Sequence, residues 1–263
     1  PIGKTWYDSV QVKVTRRFSG GFAIDSGYAW QKAYSAGDDI YTATNALESV
    51  DEDFDMNAER HVSPLSQPHA VYVAPAYTSP RLSGGSILSR VFSEWQVSAM
   101  LQYASGLPIP VPVSNSNLYA LLFQPTYANR APGQSFFLKD PNDRGIDPLN
   151  DFVLNAAGWA DPSEGQFSTS KAYFSDYRFK RRSSEQISAG KRIRLNDRLQ
   201  LNVRIDFQNV FNNKEPENPY HVNANAFQLR DDDGEIVTGF GYVNYRNLAA
   251  KPRNGQVLVR MEF

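Results

Sequence analysis

Residues 199–208 read Leu-Gln-Leu-Asn-Val-Arg-Ile-Asp-Phe-Gln, a strict alternation of apolar and polar side chains. A period of two fits a β-strand and not a helix, because successive strand side chains point to opposite faces. Leu199, Leu201, Val203, Ile205 and Phe207 therefore share one face, and Gln200, Asn202, Arg204, Asp206 and Gln208 share the other. Such a ribbon has two possible homes. In a soluble sandwich the polar face meets bulk water. In a transmembrane barrel the polar face lines the lumen and the apolar face meets lipid. Alternation by itself does not choose between them.

The pattern recurs along the chain. At the C-terminus Val257, Val259, Met261 and Phe263 fall on one face, opposite Gln256, Arg260 and Glu262, with Leu258 the exception. Residues 187–195 read as the strand before 199–208, joined to it by an Asn196-Asp197 turn. Trp95, Val97, Ala99, Leu101 and Tyr103 oppose Gln96, Ser98 and Gln102 in a strand near 91–106. Val71, Val73 and Tyr77 mark a strand near 69–78, weakened by Pro75, which has no N–H for a ladder. Phe22, Ile24, Tyr28 and Trp30 mark another, joined through Ser19-Gly20-Gly21 to a strand carrying Val10, Val12 and Val14. The expected fold is all-β, with seven antiparallel strands.

Connection lengths favour the barrel. Three connections are short (18–21, about 79–88 and 196–197) and three are long (about 36–67, 107–182 and 213–253), in strict alternation. Structureless loops beyond about 15 residues are rare in compact soluble domains. Outer-membrane barrels alternate short periplasmic turns with long extracellular loops. A chain ending on the periplasmic side would put all three long loops outside. Trp6, Tyr7, Tyr28, Trp30, Trp95 and Tyr103 lie toward strand ends, where amphipathic rings suit a membrane interface. No apolar run reaches the roughly 18 residues of a transmembrane helix, as expected if strands do the crossing.

Composition excludes several classes. A net charge of −1 gives no field for nucleic acid. The absence of Cys removes disulfides, thiolate metal sites and Cys nucleophiles. His61, His69 and His221 lack ligand spacing, and no nucleophile elbow, phosphate loop or dinucleotide fingerprint occurs. The chain is expected to be no enzyme and to need no cofactor or metal. Starting at Pro1 without a Met or a signal peptide, it reads as the tail of a longer protein.

Several stretches together resemble the C-terminal part of TonB-dependent outer-membrane receptors, particularly the Oar-like group. Residues 7–12 (Tyr-Asp-Ser-Val-Gln-Val) with 16–21 (Arg-Arg-Phe-Ser-Gly-Gly) are similar to that group's strand–turn–strand. Residues 28–33, 69–73 and 95–98, with Ser105-Gly106-Leu107-Pro108, resemble its following strands. Residues 201–212, Leu-Asn-Val-Arg-Ile-Asp-Phe-Gln-Asn-Val-Phe-Asn, are similar to its penultimate strand, Arg-x-Glu-x-Phe-Asn-x-Phe-Asn, with Asp206 in place of the usual Glu and Gln208 before Asn209. The terminal Phe263 matches outer-membrane proteins generally. The resemblance implies that residues 1–263 are the C-terminal portion of one barrel domain in the bacterial outer membrane, with plug and early strands absent. Seven strands would be about a third of a plugged, 22-stranded wall.

Expected roles follow. Val257, Val259, Met261 and Phe263 would be the signal read by the barrel assembly machinery, through strand addition. Gln96, Gln200, Asn202, Arg204 and Asp206 would face the lumen, and Leu199, Leu201, Val203, Ile205 and Phe207 the lipid. Expected partners are outer-membrane lipid and lipopolysaccharide, an unknown bulky and scarce ligand, and the TonB energy complex, reached through the missing N-terminal part. Arg178, Lys180, Arg181 and Arg182 could meet lipopolysaccharide phosphates or form a solvated rim. The aromatics of 107–182 could contact a ligand or pack the loop against itself. The acidic 36–67 loop reads as solvated surface, and Asp231-Asp232-Asp233-Gly234-Glu235 as a hairpin tip, not a calcium loop. A soluble sandwich binding module, or a barrel with a secretion or signalling role, are the alternatives.

Overall fold

The computed structural model describes residues 4–36, 60–82, 91–115, 126–143, 145–194, 196, 199–244 and 252–262. Most of the acidic 36–67 loop, together with Asp197 and Phe263, lies outside these residues. Seven long strands form the wall: β1 Lys4–Ser19, β2 Phe22–Ala36, β3 His69–Thr78, β4 Trp95–Ala104, β5 Arg182–Arg194, β6 Gln200–Gln208 and β7 Asn254–Glu262. Each pairs antiparallel with the next in chain order, so the wall is a simple meander. Among the described residues β1 and β7 are open edges.

All seven expected strands are present, with shifted ends. β1 and β2 extend past the Val and aromatic cores that mark them, because their ladder continues from Lys4↔Ala36 to Ser19↔Phe22. Gly20 and Gly21 close that hairpin at φ of 60° and 80°. β4 starts at Trp95, not 91, because Glu94 sits at φ 59° and breaks the ladder. The Ser79 hydroxyl then caps the strand start, accepting from the Trp95 N–H at 2.9 Å and donating to the Phe92 carbonyl at 3.1 Å. Pro75 is tolerated inside β3, where Ile24 is its partner on β2 and the ladder with β4 carries no paired residue between Val73 and Ala76.

The long connections are not structureless. A two-residue strand, His61–Val62, adds to the outer end of β2. In 105–181, Pro108–Pro110 pairs with Tyr173–Arg178, and Asn129–Arg130 pairs with Trp159–Ala160. Leu229–Arg230 and Ile236–Thr238 form a hairpin whose tip is the Asp231–Glu235 turn. Asp231 holds that tip itself, its carboxylate accepting from the N–H groups of Asp233 and Glu235. Among the described residues no group of acidic or His side chains is arranged to hold a metal ion.

The buried apolar core lies in these loops. Ile109, Val111, Phe136, Val153, Leu154, Trp159, Tyr173, Tyr177, Phe179, Phe240 and Val243 are buried together. Phe136 stacks on Trp159 at 4.7 Å, and Tyr177 packs on both, at 4.9 and 5.2 Å. Such ring pairs add about 0.5–1.5 kcal/mol each beyond their buried area. The loop aromatics therefore do pack against each other. No buried hydrophobic residue among those described belongs to β1–β7. Val257 and Val259 are 64% and 65% exposed, and Val10, Val12 and Val14 are likewise bare. A sheet in a soluble protein covers its apolar face with another layer. Among the described residues this one has no protein layer there.

Candidate functional site

Cross-strand register fixes which side chains share a face. Ile205 lies between Ala189 of β5 and Val257 of β7, and Leu201 between Ile193 and Met261. Ala189 continues to Val97 and Tyr77, and Tyr103 continues to Val71, Tyr28 and Val12. This apolar face includes Leu201, Val203, Ile205 and Phe207 by strand parity, whereas Leu199, expected with them, stands one residue before β6 in the turn, where its N–H donates to the Asn196 side chain at 2.8 Å. Aromatic rings mark its two ends. Phe22, Tyr77 and Trp95 lie toward the rim of short turns, and Trp6, Tyr28, Trp30, Tyr34 and Tyr103 toward the rim of long loops. From Trp95 to Tyr103 is eight residues, about 27 Å along the strand. With a barrel tilt of about 40° this gives a height of roughly 20 Å, near the apolar band of outer-membrane barrels.

Cations on this face sit beside rings at its margins. Lys191 lies 5.0 Å from the Trp95 ring and Arg16 lies 5.4 Å from Phe22, both at the turn rim. Lys32 and Arg60 approach Tyr34 at the loop rim, at 5.2 and 5.1 Å. Long basic side chains at an interface keep their stems on apolar surface and their heads in water. Tyr7 departs from the expected interface set. It pairs with Ala33 and its hydroxyl donates to Gln31, which puts it on the polar face.

Gln96, Gln200, Asn202, Arg204 and Asp206 share the opposite, polar face, since Gly190 is paired with both Gln96 and Arg204. Only Arg204 and Asp206 of this set touch, at 2.6 Å, with Gln256 donating to the other Asp206 oxygen at 3.2 Å. Leu258 also falls on this face, opposite Arg204.

Toward the loop rim the polar face holds a trough of about 760 Å³. Gln11, Lys13, Tyr72, Gln102, Arg182 and Ser184 contribute from β1, β3, β4 and β5, and Gln67 and Glu215 come from the loops. None of the five residues picked out from the alternation lines it. Its signal in the sequence is weak: small residues at polar-face positions of neighbouring strands, visible only once the register is known.

The basic cluster resolves into separate tasks. The partly buried Arg178 guanidinium donates to the carbonyls of Ser66, Gly106 and Ser175, tying three loop segments together. Burial holds its pKa below the ordinary arginine value. Gly106 is required beneath it, because a Cβ there would stand 1.9 Å from the Phe179 carbonyl. Arg181 donates to Asn142, and Lys180 to the Lys214 carbonyl. Arg182 alone of the four lines the trough.

The Asn209–Asn213 segment has a physical role that its motif alone does not reveal. Asn209 and Asn212 adopt φ of 49° and 52°, which Asn tolerates better than most residues. Asn209 then bonds the backbone of Asn213 twice, at 2.8 and 2.9 Å. The turn sets the Asn213 amide on Glu185 at 2.9 Å, and Glu185 is 1% exposed although it lies on the apolar face.

A family model described as an outer membrane beta barrel domain matches residues 1–256. No significant match to a curated protein or to a solved structure was found. The unbroken antiparallel meander, the bare apolar face between two aromatic belts and this match agree: the chain belongs to the outer membrane beta barrel domain family, whose place is the outer membrane.

Proposed function

We propose that this chain forms seven neighbouring strands in the wall of a larger barrel, that of a TonB-dependent transporter taking up a bulky, scarce ligand across the bacterial outer membrane. The observation that carries the reading is the trough on the polar face. It lies at the loop rim of a wall whose other face is bare, where a ligand arriving from outside would enter the lumen. The open edges at β1 and β7 leave both flanks of the wall available to further strands. The resemblance of residues 201–212 to the penultimate strand of TonB-dependent receptors supports the finer assignment.

In this reading Gln96, Gln200, Asn202, Arg204 and Asp206 face the lumen, and Leu201, Val203, Ile205 and Phe207 face lipid. β7, with Val257, Val259 and Met261 on its outward face and Phe263 following, is the segment read by the barrel assembly machinery. Lipopolysaccharide surrounds the loop rim, and the TonB complex acts through another part of the protein. The chain's task is binding and passage, with no chemical step.

The test is uptake in cells carrying the full-length protein. A candidate ligand should accumulate only while the inner membrane is energised, and deletion of the protein should abolish accumulation. Uptake that persists after the proton gradient is collapsed would overturn TonB dependence. Export of a substrate in place of uptake would favour the secretion reading.

A further inference from the structure

The trough floor is organised in rows that cross five strands. One row runs Gln11, Ala29, Ala70, Ala104, Arg182, each paired with the next. Three alanines thus lie between two long polar side chains. Four inter-strand steps make the row about 19 Å long. The adjacent row runs Lys13, Gly27, Tyr72, Gln102, Ser184. Here the Tyr72 ring lies across Gly27, so close that a Cβ on Gly27 would stand 2.5 Å from it. The Tyr72 hydroxyl donates to Asp25 at 3.2 Å, and Thr15 and Lys13 hold the same carboxylate at 2.7 and 3.3 Å. The ring is therefore fixed as a rigid wall beside a slot whose floor is only methyl groups high.

The polar groups around this slot have little net charge. Lys13 is paired with Asp25, and a Glu215 oxygen accepts the Ser183 N–H. The side chains of Gln11, Gln102, Ser184 and Arg182 make no hydrogen bond or ion pair among the described residues, and all four line the same space. Amides and hydroxyls both donate and accept, and a guanidinium fork can bridge two adjacent oxygens. A peptide ligand would want deep apolar pockets for its anchors, and here the floor offers only alanines. A polyanion would want several uncompensated cations. A chain of sugar rings, with hydroxyls on its edges and C–H groups on its faces, matches a long shallow slot with amides on both sides and one fixed aromatic ring.

We propose that this slot binds a linear, neutral oligosaccharide a few sugar units long, lying across β1–β5 with Gln11 and Arg182 at its two ends. This rests on the transporter reading only for how the ligand is delivered and moved on.

The experiment uses the purified full-length protein and an array of neutral and acidic oligosaccharides of graded length. Binding should favour neutral chains and strengthen with length until the slot is filled, then level off. Ala70→Trp, which raises the middle of the floor, should weaken binding at least tenfold. Gln11→Ala and Arg182→Ala, which leave the floor intact, should each shorten the length at which affinity levels off. Ser98→Ala, on the polar face outside the trough, should change nothing. A heat-dependent gel shift checks that each variant is folded. No binding to any neutral chain overturns the proposal, as does binding to acidic chains alone or wild-type affinity in the end-position variants. Uptake in cells separates the two readings. Energy-dependent import of a peptide or a metal chelate, with no sugar bound, removes the slot and leaves the transporter. Sugar binding with energy-independent passage does the reverse.

Discussion

Replacing Ile205 with arginine tests the two-faced wall at its most informative position. Ile205 sits between Ala189 and Val257 on the apolar face, with Val203 and Phe207 above and below it on β6. It lies three residues from Gln208 at the loop end of the strand, about 10 Å along it. That depth is inside the apolar band but short of its centre. An arginine on the lipid face costs about 2–4 kcal/mol at the midplane and little near the interfaces. We therefore expect Ile205→Arg to cost about 2–3 kcal/mol, roughly a 30- to 150-fold loss in the folding equilibrium. Asn202→Arg, on the polar face between Arg192 and Arg260, should cost well under 1 kcal/mol, since it adds only a solvated repulsion. The assay is urea titration of the full-length protein folded into lipid vesicles, read by heat-dependent gel migration. Equal losses at the two positions, or an Ile205→Arg protein as stable as wild type, would refute the assignment of faces.

Other consequences are direct. Arg178→Ala removes the guanidinium that joins Ser66, Gly106 and Ser175, and should loosen the loop cap by about 2 kcal/mol; faster protease cleavage within 105–181 on intact cells would show it, and unchanged cleavage would contradict it. Burial pushes the His221 imidazole below its ordinary value of 6.5, even though its Nδ1 donates to the Pro219 carbonyl. The fold thus prefers neutral His221, so stability is complete above the unfolded pKa and declines as pH falls below it. Protection of the 213–244 segment from hydrogen exchange should then drop between neutral pH and pH values below 6.5, and His221→Gln should flatten that dependence. Removing Phe263 should reduce the amount of assembled protein in the outer membrane without changing synthesis, measured by quantitative blotting of fractions.

Much of the wall is legible from alternation because lipid and lumen each impose a rule on every second residue. β6 is clearest, with four apolar residues facing one way and none of its polar partners breaking step. β5 is harder. Its Ser183 and Glu185 occupy the apolar face near the loop rim, where the Asn209–Asn213 turn covers them. That cover comes from a distant segment, so a local pattern puts the strand start at 187 when the ladder starts at Arg182. The loop cap is invisible to periodicity for a similar reason. Its strands are two to six residues long and are held by rings far apart in sequence, such as Phe136 on Tyr177. The trough needed register as well as parity. Ala29, Ala70 and Ala104 look unremarkable in their own strands and become a floor only when the three strands are aligned.

The chain has no Cys, so single cysteines can be placed along β6 without background from this sequence. The most direct test is to substitute each of residues 200–207 with Cys in the full-length protein, in native outer membranes, and compare labelling by a water-soluble and a bilayer-confined maleimide. Gln200→Cys, Asn202→Cys, Arg204→Cys and Asp206→Cys should react with the aqueous reagent. Leu201→Cys, Val203→Cys, Ile205→Cys and Phe207→Cys should react only with the bilayer reagent. Aqueous labelling of both sets alike would mean that the apolar face does not meet lipid, and the account of this wall would fail.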